Sequence, residues 1–153
     1  MFISNIGRYL PGIASRIRGF TCERELARIL WREGFAVIRA PASGSRARRI
    51  FYPDIVAVKN KRILVFEVKL LKKYRPVCVE SYKINRLVEF ARRACGEAYV
   101  AVKIIREARW FFIPVEILKV TEKGFYCATR EQLSRALGLE ELLKTPISEL
   151  LSK

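Results

Sequence analysis

Two apolar runs joined by a two-residue turn constrain the fold of this 153-residue chain more than any other feature. The first run covers Asp54–Lys59 and the second covers Arg62–Lys69, with Asn60-Lys61 between them. Strand-like runs that are separated by two turn residues are typical of an antiparallel β-hairpin. The second run is apolar at every position of Ile63–Phe66, which predicts a strand that is largely buried on both faces.

Charged side chains stand at the open end of this predicted hairpin. Glu67 and Lys69 are two positions apart on a strand, so their side chains project from the same face. If the turn consists of Asn60-Lys61 alone, Asp54 lies opposite Glu67, with Cβ atoms roughly 4.5–5.5 Å apart. Two facing carboxylates destabilise a sheet unless a cation bridges them, and a one-residue shift in the pairing would separate them.

The residue types in this cluster favour a divalent cation that is bound by oxygen. The chain contains no histidine, which excludes histidine metal sites and catalytic triads with histidine. Carboxylate donors then favour Mg²⁺ or Mn²⁺. A third acid, Glu23, falls on the apolar stripe of a predicted helix at 20–33, where it reaches either the cation or nearby backbone N–H groups. The alternative for Asp54, Glu67 and Lys69 is an ordinary surface hairpin.

The remaining pattern predicts one α/β domain with a central mixed β-sheet that is flanked by helices. Residues 1–18 are expected to be an N-terminal extension in which Pro11 and Gly12 interrupt any helix, and residues 19–153 to be the domain, with 115–153 less regular. The other predicted elements are a strand at 35–39, loops at 40–52 and 70–80, a helix at 81–95, strands at 98–104 and 110–113, a hairpin of 119–121 with 125–128, and a helix from Thr129, which opens a capping box, to about 137.

An excess of positive charge indicates a polyanionic partner. The chain has 30 Lys and Arg residues against 15 Asp and Glu residues, a formal net charge of +15. Packing does not require this excess, and self-repulsion opposes it. Nucleic acid is the first candidate partner and an anionic membrane surface is the second. The first 22 residues contain no acid, which also fits a targeting segment. The four cysteines are widely spaced, so most of them are expected to be buried as small apolar residues, with disulfide bonds as the alternative.

The motifs resemble those of the archaeal Holliday junction resolvases, which belong to the restriction-endonuclease-like nucleases. Pro53-Asp54, then twelve residues, then Glu67-Val68-Lys69 is a P-D…E-x-K pattern. That short motif is weak by itself, and its context is more specific. The resemblance extends over residues 19–115 and includes Glu23-Arg24-Glu25-Leu26, the stretch 34–45 with Ser43, Leu87–Arg92, Ala101-Val102-Lys103 and Trp110–Ile113.

The resemblance implies a restriction-endonuclease-like fold and a symmetric homodimer. It also implies a cytoplasmic, nucleoid-associated enzyme that resolves four-way DNA junctions. The implied cofactor is Mg²⁺, with Mn²⁺ as a substitute, and each site would hold one or two ions. It implies metal ligands at Glu23, Asp54, Glu67 and the Val68 carbonyl, with Lys69 completing the site. Ser43 and Arg39 would then contact phosphate. Without the resemblance, Ser43 reads as part of a flexible linker and Arg39 as a solvated strand end.

Basic residues around the site in sequence are expected to bind the DNA backbone without reading its sequence. Two alternatives remain open: a related nuclease that acts on flaps, forks or damaged duplex, and a non-catalytic basic DNA-binding protein. The expected DNA-binding residues are Arg24, Arg39, Ser43, Arg46, Arg48, Arg49, Lys72, Lys73 and Arg75.

Overall fold

A five-stranded mixed β-sheet organises the chain in a computed structural model that describes residues 11–40 and 50–144. Strands follow the order β1-β2-β3-β5-β6, in which β3 and β5 are parallel and the other pairs are antiparallel. The predicted α/β class is therefore confirmed. The elements are α1 Pro11–Arg32, β1 Ala36–Arg39, β2 Ile55–Lys59, β3 Arg62–Leu71, β4 Val77–Glu80, α2 Ser81–Ala94, β5 Glu97–Ile104, β6 Arg109–Pro114, β7 Lys119–Val120, β8 Phe125–Ala128, α3 Arg130–Ser134 and α4 Leu139–Lys144.

The β2–β3 hairpin has the predicted turn and register. Lys59 pairs with Arg62 at the closed end, and Ile55 pairs with Phe66 near the open end. Asn60-Lys61 forms the turn with φ values of 49° and 66°. Positive φ at both turn residues gives the twist that two antiparallel strands require. The next positions outward from the last pair are Asp54 and Glu67.

Helices cover both faces of the hairpin, which explains why β3 is apolar on both sides. On one face, Leu26 and Leu30 of α1 pack with Leu64 and Phe66. On the other face, residues of α2 pack around Val65. Side chains alternate between the faces of a strand, so Glu67 follows Val65 on the side of α2. Each fully buried Leu or Phe stabilises the fold by about 1.5–3 kcal/mol.

Helix α1 begins earlier than the sequence pattern indicates. The helix starts at Pro11 instead of at about residue 20, and Pro11-Gly12 does not interrupt it. Proline is tolerated in the first turn of a helix because the N–H that it lacks has no intrahelical partner there. No helix among the described residues is long and apolar enough to cross a membrane.

Much of the predicted loop at 70–80 is strand, because β3 and β4 extend into it, and β4 belongs to a second, three-stranded sheet. Strand β3 extends to Leu71, and β4 pairs with β8, which in turn pairs with β7. The small β7–β8 hairpin and the capping box at Thr129 are as predicted. The helix that the capping box opens, α3, ends at Ser134 instead of about 137. The sequence pattern does not predict β4, because its partner β8 is distant in sequence and the strand forms no hairpin with a neighbour.

The expectation for the cysteines is wrong at three of the four positions. Cys22 is buried, and burial raises the pKa of its thiol to about 12. Cys95 is exposed. Cys78 and Cys127 form a disulfide because the pairing of β4 with β8 places them directly opposite each other.

Loss of the Cys78–Cys127 disulfide should destabilise the protein. The bond joins positions 49 residues apart. Closing a loop of that length restricts the unfolded chain by about 4 kcal/mol in the chain-entropy account. In urea titrations, the double variant Cys78→Ser/Cys127→Ser should lose up to about that free energy of unfolding. Cys95→Ser is the matched control and should unfold like the wild type. A wild-type midpoint that does not respond to reducing agent would contradict the prediction.

Candidate active site

Glu67 is a charged side chain buried at the end of an otherwise apolar strand segment. The residue is 5% exposed, and it is the one charged residue in the buried class among residues 18–19, 21–40 and 50–144. Its Oε1 lies 3.0 Å from Lys69 Nζ on the same strand. Lys83 Nζ, from the first turn of α2, lies 3.5 Å from the same oxygen. Burial of an ionised carboxylate is costly unless cations pair with it, and these two ammonium groups supply the pairing.

Asp54 stands beside Glu67, as the hairpin register predicts. Its Oδ2 accepts a hydrogen bond from the backbone N–H of Val68 at 2.7 Å. Burial, reinforced by the nearby charge of Glu67, raises the pKa of Asp54 to about 7 despite that hydrogen bond. A raised pKa at a carboxyl group next to a second carboxylate is typical of functional sites.

Glu23 approaches the cluster from α1, on the other side of the sheet. Its Oε2 lies 3.3 Å from Arg39 Nη1 at the end of β1. Burial raises the pKa of Glu23, the Arg39 hydrogen bond opposes this rise, and the charge of Glu67 adds to it. Arg39 is therefore paired with an acid and is not a fully solvated strand end.

The structure assembles part of the predicted metal site. Asp54, Glu67 and Lys69 lie together, whereas Glu23 is held by Arg39. In the described part of the chain, no three Asp, Glu, Cys or His side chains are close enough together to hold a metal ion. The donor set nevertheless suits a hard cation, because burial and, to a smaller degree, the charge of Glu67 raise the pKa of both other acids. A divalent cation with oxygen ligands would relieve that repulsion.

A basic cleft of about 540 Å³ opens next to the carboxylates. Val68 and Lys69 line the cleft, and Lys69 links it to the acidic cluster through its 3.0 Å contact with Glu67. Three of the expected DNA-binding residues line it, together with Arg18, which the sequence analysis assigned to the N-terminal extension. Arg18 stands in sequence among apolar residues and other arginines. That pattern also fits a targeting segment, so the sequence alone does not place Arg18 in the cleft. The basic residues of the cleft are Arg18, Lys69, Lys72, Lys73 and Arg75.

The remaining predicted residues divide into two groups. Arg24 is exposed on α1, next to Glu23 in sequence. Ser43, Arg46, Arg48 and Arg49 lie outside the described residues, so their roles stay predictions.

Lys83 is the residue at this site that the sequence analysis missed. Its position on α2 gives no local sign that it faces Glu67, because that contact is made by folding alone.

Comparisons with known proteins find similar sequences over most of the chain. A sequence profile described as "Archaeal holliday junction resolvase (hjc)" matches residues 14–150. The crossover junction endodeoxyribonuclease Hjc of Sulfurisphaera tokodaii is 37% identical over 131 residues, covering 86% of this chain and 89% of that protein. The Archaeoglobus fulgidus protein of the same name is 42% identical over 108 residues, covering 71% and 76%.

A solved structure shows a similar fold. It is the structure of Archaeoglobus fulgidus Hjc, described as a Holliday junction resolvase from an archaeal hyperthermophile. It superposes with a TM-score of 0.72 at 36% sequence identity and covers 82% of this chain and 99% of that one.

Replacement of Asp54 by asparagine should stabilise the metal-free protein more strongly at pH 8 than at pH 5. The pKa of Asp54 rises from 3.8 to about 7 on folding. The folded state therefore binds more protons than the unfolded state between these values, and its stability falls as the pH rises through them. Asparagine removes the charge and still accepts the Val68 N–H. The gain at pH 8 is at most roughly 4 kcal/mol.

Urea unfolding in EDTA at both pH values measures this effect. The exposed Glu140→Gln variant is the control, because it removes a carboxylate that is in contact with solvent. Equal stability of wild type and Asp54→Asn at pH 8 would show that the Asp54 carboxylate is not under electrostatic strain.

Proposed function

Because the chain belongs to the archaeal Holliday junction resolvase family, we propose that it is a structure-specific endonuclease that cuts four-way DNA junctions by hydrolysing phosphodiester bonds. One observation supports this function above the others. Asp54, Glu67 and Lys69 form a carboxylate and ammonium cluster, and Lys69 also lines a cleft of basic side chains.

Asp54 and Glu67 are proposed to hold a divalent cation, Mg²⁺ or Mn²⁺, together with the Val68 carbonyl and with Glu23 as a further ligand. One or two ions per site fit the three acids. Such a cation supplies Lewis-acid catalysis, because it polarises a phosphate oxygen and makes water a stronger nucleophile. The Val68 N–H fixes the orientation of Asp54 through the 2.7 Å hydrogen bond to Oδ2.

Lys69 is proposed to offset the negative charge that develops on the phosphate during hydrolysis. Its ammonium group already lies 3.0 Å from Glu67 Oε1, so it is held at the boundary between the acids and the cleft. A fixed positive charge at such a position stabilises a transition state without reorganisation. Ser43 and Arg39 are proposed to contact phosphates next to the cleaved bond.

The basic residues of the cleft are proposed to bind the DNA backbone. Arg18, Lys72, Lys73 and Arg75 present positive charge next to Lys69, so a strand that follows the cleft passes the acidic cluster. Arg24 and the basic residues Arg46, Arg48 and Arg49 would extend this surface. Contacts of this kind position DNA without reading its sequence, which suits an enzyme that recognises the shape of a junction.

A homodimer is proposed as the working unit. One site of this kind cuts one strand, and resolution of a four-way junction requires two paired incisions. A twofold axis presents two identical sites to two symmetry-related strands. An enzyme that acts on chromosomal junctions works in the cytoplasm, in contact with the nucleoid.

Cleavage of a synthetic four-way junction tests the function. The wild type should cut the junction with Mg²⁺ and not in EDTA. Asp54→Ala and Glu67→Gln should each lose more than about 100-fold in single-turnover rate while still binding the junction, because they remove direct ligands.

Fork, flap and duplex substrates in the same series separate a resolvase from a related nuclease. A cruciform plasmid reports on the dimer, since paired incisions linearise it and single incisions only nick it.

Two outcomes would contradict these proposals. Full cleavage by both variants would exclude Asp54 and Glu67 from catalysis. Binding of the junction without cleavage by the wild type, in Mg²⁺ and in Mn²⁺, would identify the chain as a non-catalytic DNA-binding protein.

Neutralising the cleft should weaken junction binding and its dependence on salt. Each lost phosphate contact reduces the slope of log K against log salt by about 1. The double variant Lys72→Ala/Lys73→Ala should therefore lower the slope by about 2, measured by fluorescence anisotropy in Ca²⁺. Lys119→Ala/Lys123→Ala removes two exposed lysines from the β7–β8 hairpin and serves as the control. Equal slopes for the two double variants would place the DNA elsewhere.

A further inference from the structure

Lys83 is a second lysine on the buried carboxylate of Glu67, and the P-D…E-x-K pattern does not include it. Lys83 Nζ lies 3.5 Å from Glu67 Oε1, the same oxygen that Lys69 contacts at 3.0 Å. The Lys83 side chain is 31% exposed and reaches Glu67 from α2, which covers this face of the sheet. Glu67 is thus held between a lysine of its own strand and a lysine of the covering helix.

The position of Lys83 within α2 is electrostatically unfavourable for the helix. Lys83 belongs to the first turn of α2, which contains no acidic residue. The N-terminus of a helix carries partial positive charge, so acids are favoured there and a lysine is penalised. Glu80, just before the helix, makes no side-chain cap hydrogen bond and lies 3.9 Å from Lys83 Nζ. The ammonium group of Lys83 therefore destabilises the N-terminus of α2 but lies in a favourable position to pair with Glu67.

The stability of α2 does not depend on this ion pair. Ile84, Leu87 and Ala91 are buried from the same helix and anchor it to the sheet. Burial of these three apolar side chains holds α2 against the sheet independently of the ion pair. A tether for the helix is therefore a weak explanation for a lysine at this position.

Charge balance at the site gives Lys83 a different role. Three carboxylates, Glu23, Asp54 and Glu67, stand at the same end of the sheet, where Arg39 pairs with Ile55 and Ile55 with Phe66. Among residues 18–40 and 50–144, three cations contact these acids: Arg39 at Glu23, and Lys69 and Lys83 at Glu67. Removal of Lys83 leaves an excess of negative charge and frees one side of Glu67.

We propose that Lys83 is a positioning residue of the catalytic centre, which fixes the Glu67 carboxylate from α2 and balances the charge of the acid cluster. This inference rests on the proposed nuclease function. It has two consequences. Without Lys83, Glu67 is less well fixed, so phosphodiester cleavage slows. Without its positive charge, the cluster attracts a divalent cation more strongly.

Two measurements on the full-length protein test the proposal. Lys83→Met should lower the single-turnover rate of junction cleavage at saturating Mg²⁺ by roughly 10- to 100-fold, the usual loss when a group that orients a ligand is removed. In calorimetric titration of metal-free protein with MnCl₂ and no DNA, the same variant should bind Mn²⁺ roughly 2- to 10-fold more tightly. Lys83→Arg keeps the charge and the reach and should restore both values towards the wild type.

The control is Arg93→Met on the same helix. Arg93 is exposed and pairs with Glu89 at 2.8 Å, so this variant also removes one cation and one ion pair from α2. It should leave the cleavage rate and the Mn²⁺ affinity unchanged. If Lys83→Met does not fold, as judged by its circular dichroism and unfolding midpoint, Lys83→Gln takes its place.

A Lys83→Met rate within twofold of the wild type, or an unchanged affinity for Mn²⁺, would overturn the proposal. A loss of activity that Lys83→Arg does not restore would also overturn it. Failure of the wild type to cut any junction would contradict the proposed function instead. The Mn²⁺ titration would still report on Lys83 in that case, because it needs no substrate.

Discussion

Burial of the Glu67 carboxylate is the constraint on which the arrangement of the site depends. An ionised acid at 5% exposure is tolerated only where cations and polar groups surround it. Strand β3 carries Lys69 for this purpose, and α2 contributes Lys83. The neighbouring Asp54 is less well compensated, and its pKa rises accordingly. The protein thus holds two carboxylates close together at a free-energy cost, which is reasonable only for a group that binds something.

The two faces of the sheet contribute different side chains to the site. The face under α2 holds the buried end of Glu67, while α1 brings Glu23 to the other side of the same strand ends, where Arg39 at the end of β1 pairs with it. The basic cleft starts where β3 leaves the core, at Val68 and Lys69. Acids and basic residues therefore meet where the apolar segment of β3 ends, at Lys69, which contacts Glu67 and lines the cleft.

Local chemistry made much of the hairpin predictable. Two turn residues fix the register of two adjacent strands, so the sequence itself places Asp54 opposite Glu67, and the structure has that register. The small second sheet could not be predicted in this way. Strand β4 is four residues long, and its partner β8 lies far along the chain, so neither the strand nor the Cys78–Cys127 bond follows from neighbouring residues.

The sequence by itself determined the α/β class, the hairpin register and the nature of the acid cluster, because alternation, turn length and charge are local properties. Only the tertiary structure decided that Lys83 contacts Glu67, that Arg39 holds Glu23 and that Arg18 lines the cleft. These contacts join residues from different helices and strands. Their geometry depends on how α1 and α2 pack against the sheet, and packing is decided by the summed burial of many side chains rather than by any short motif.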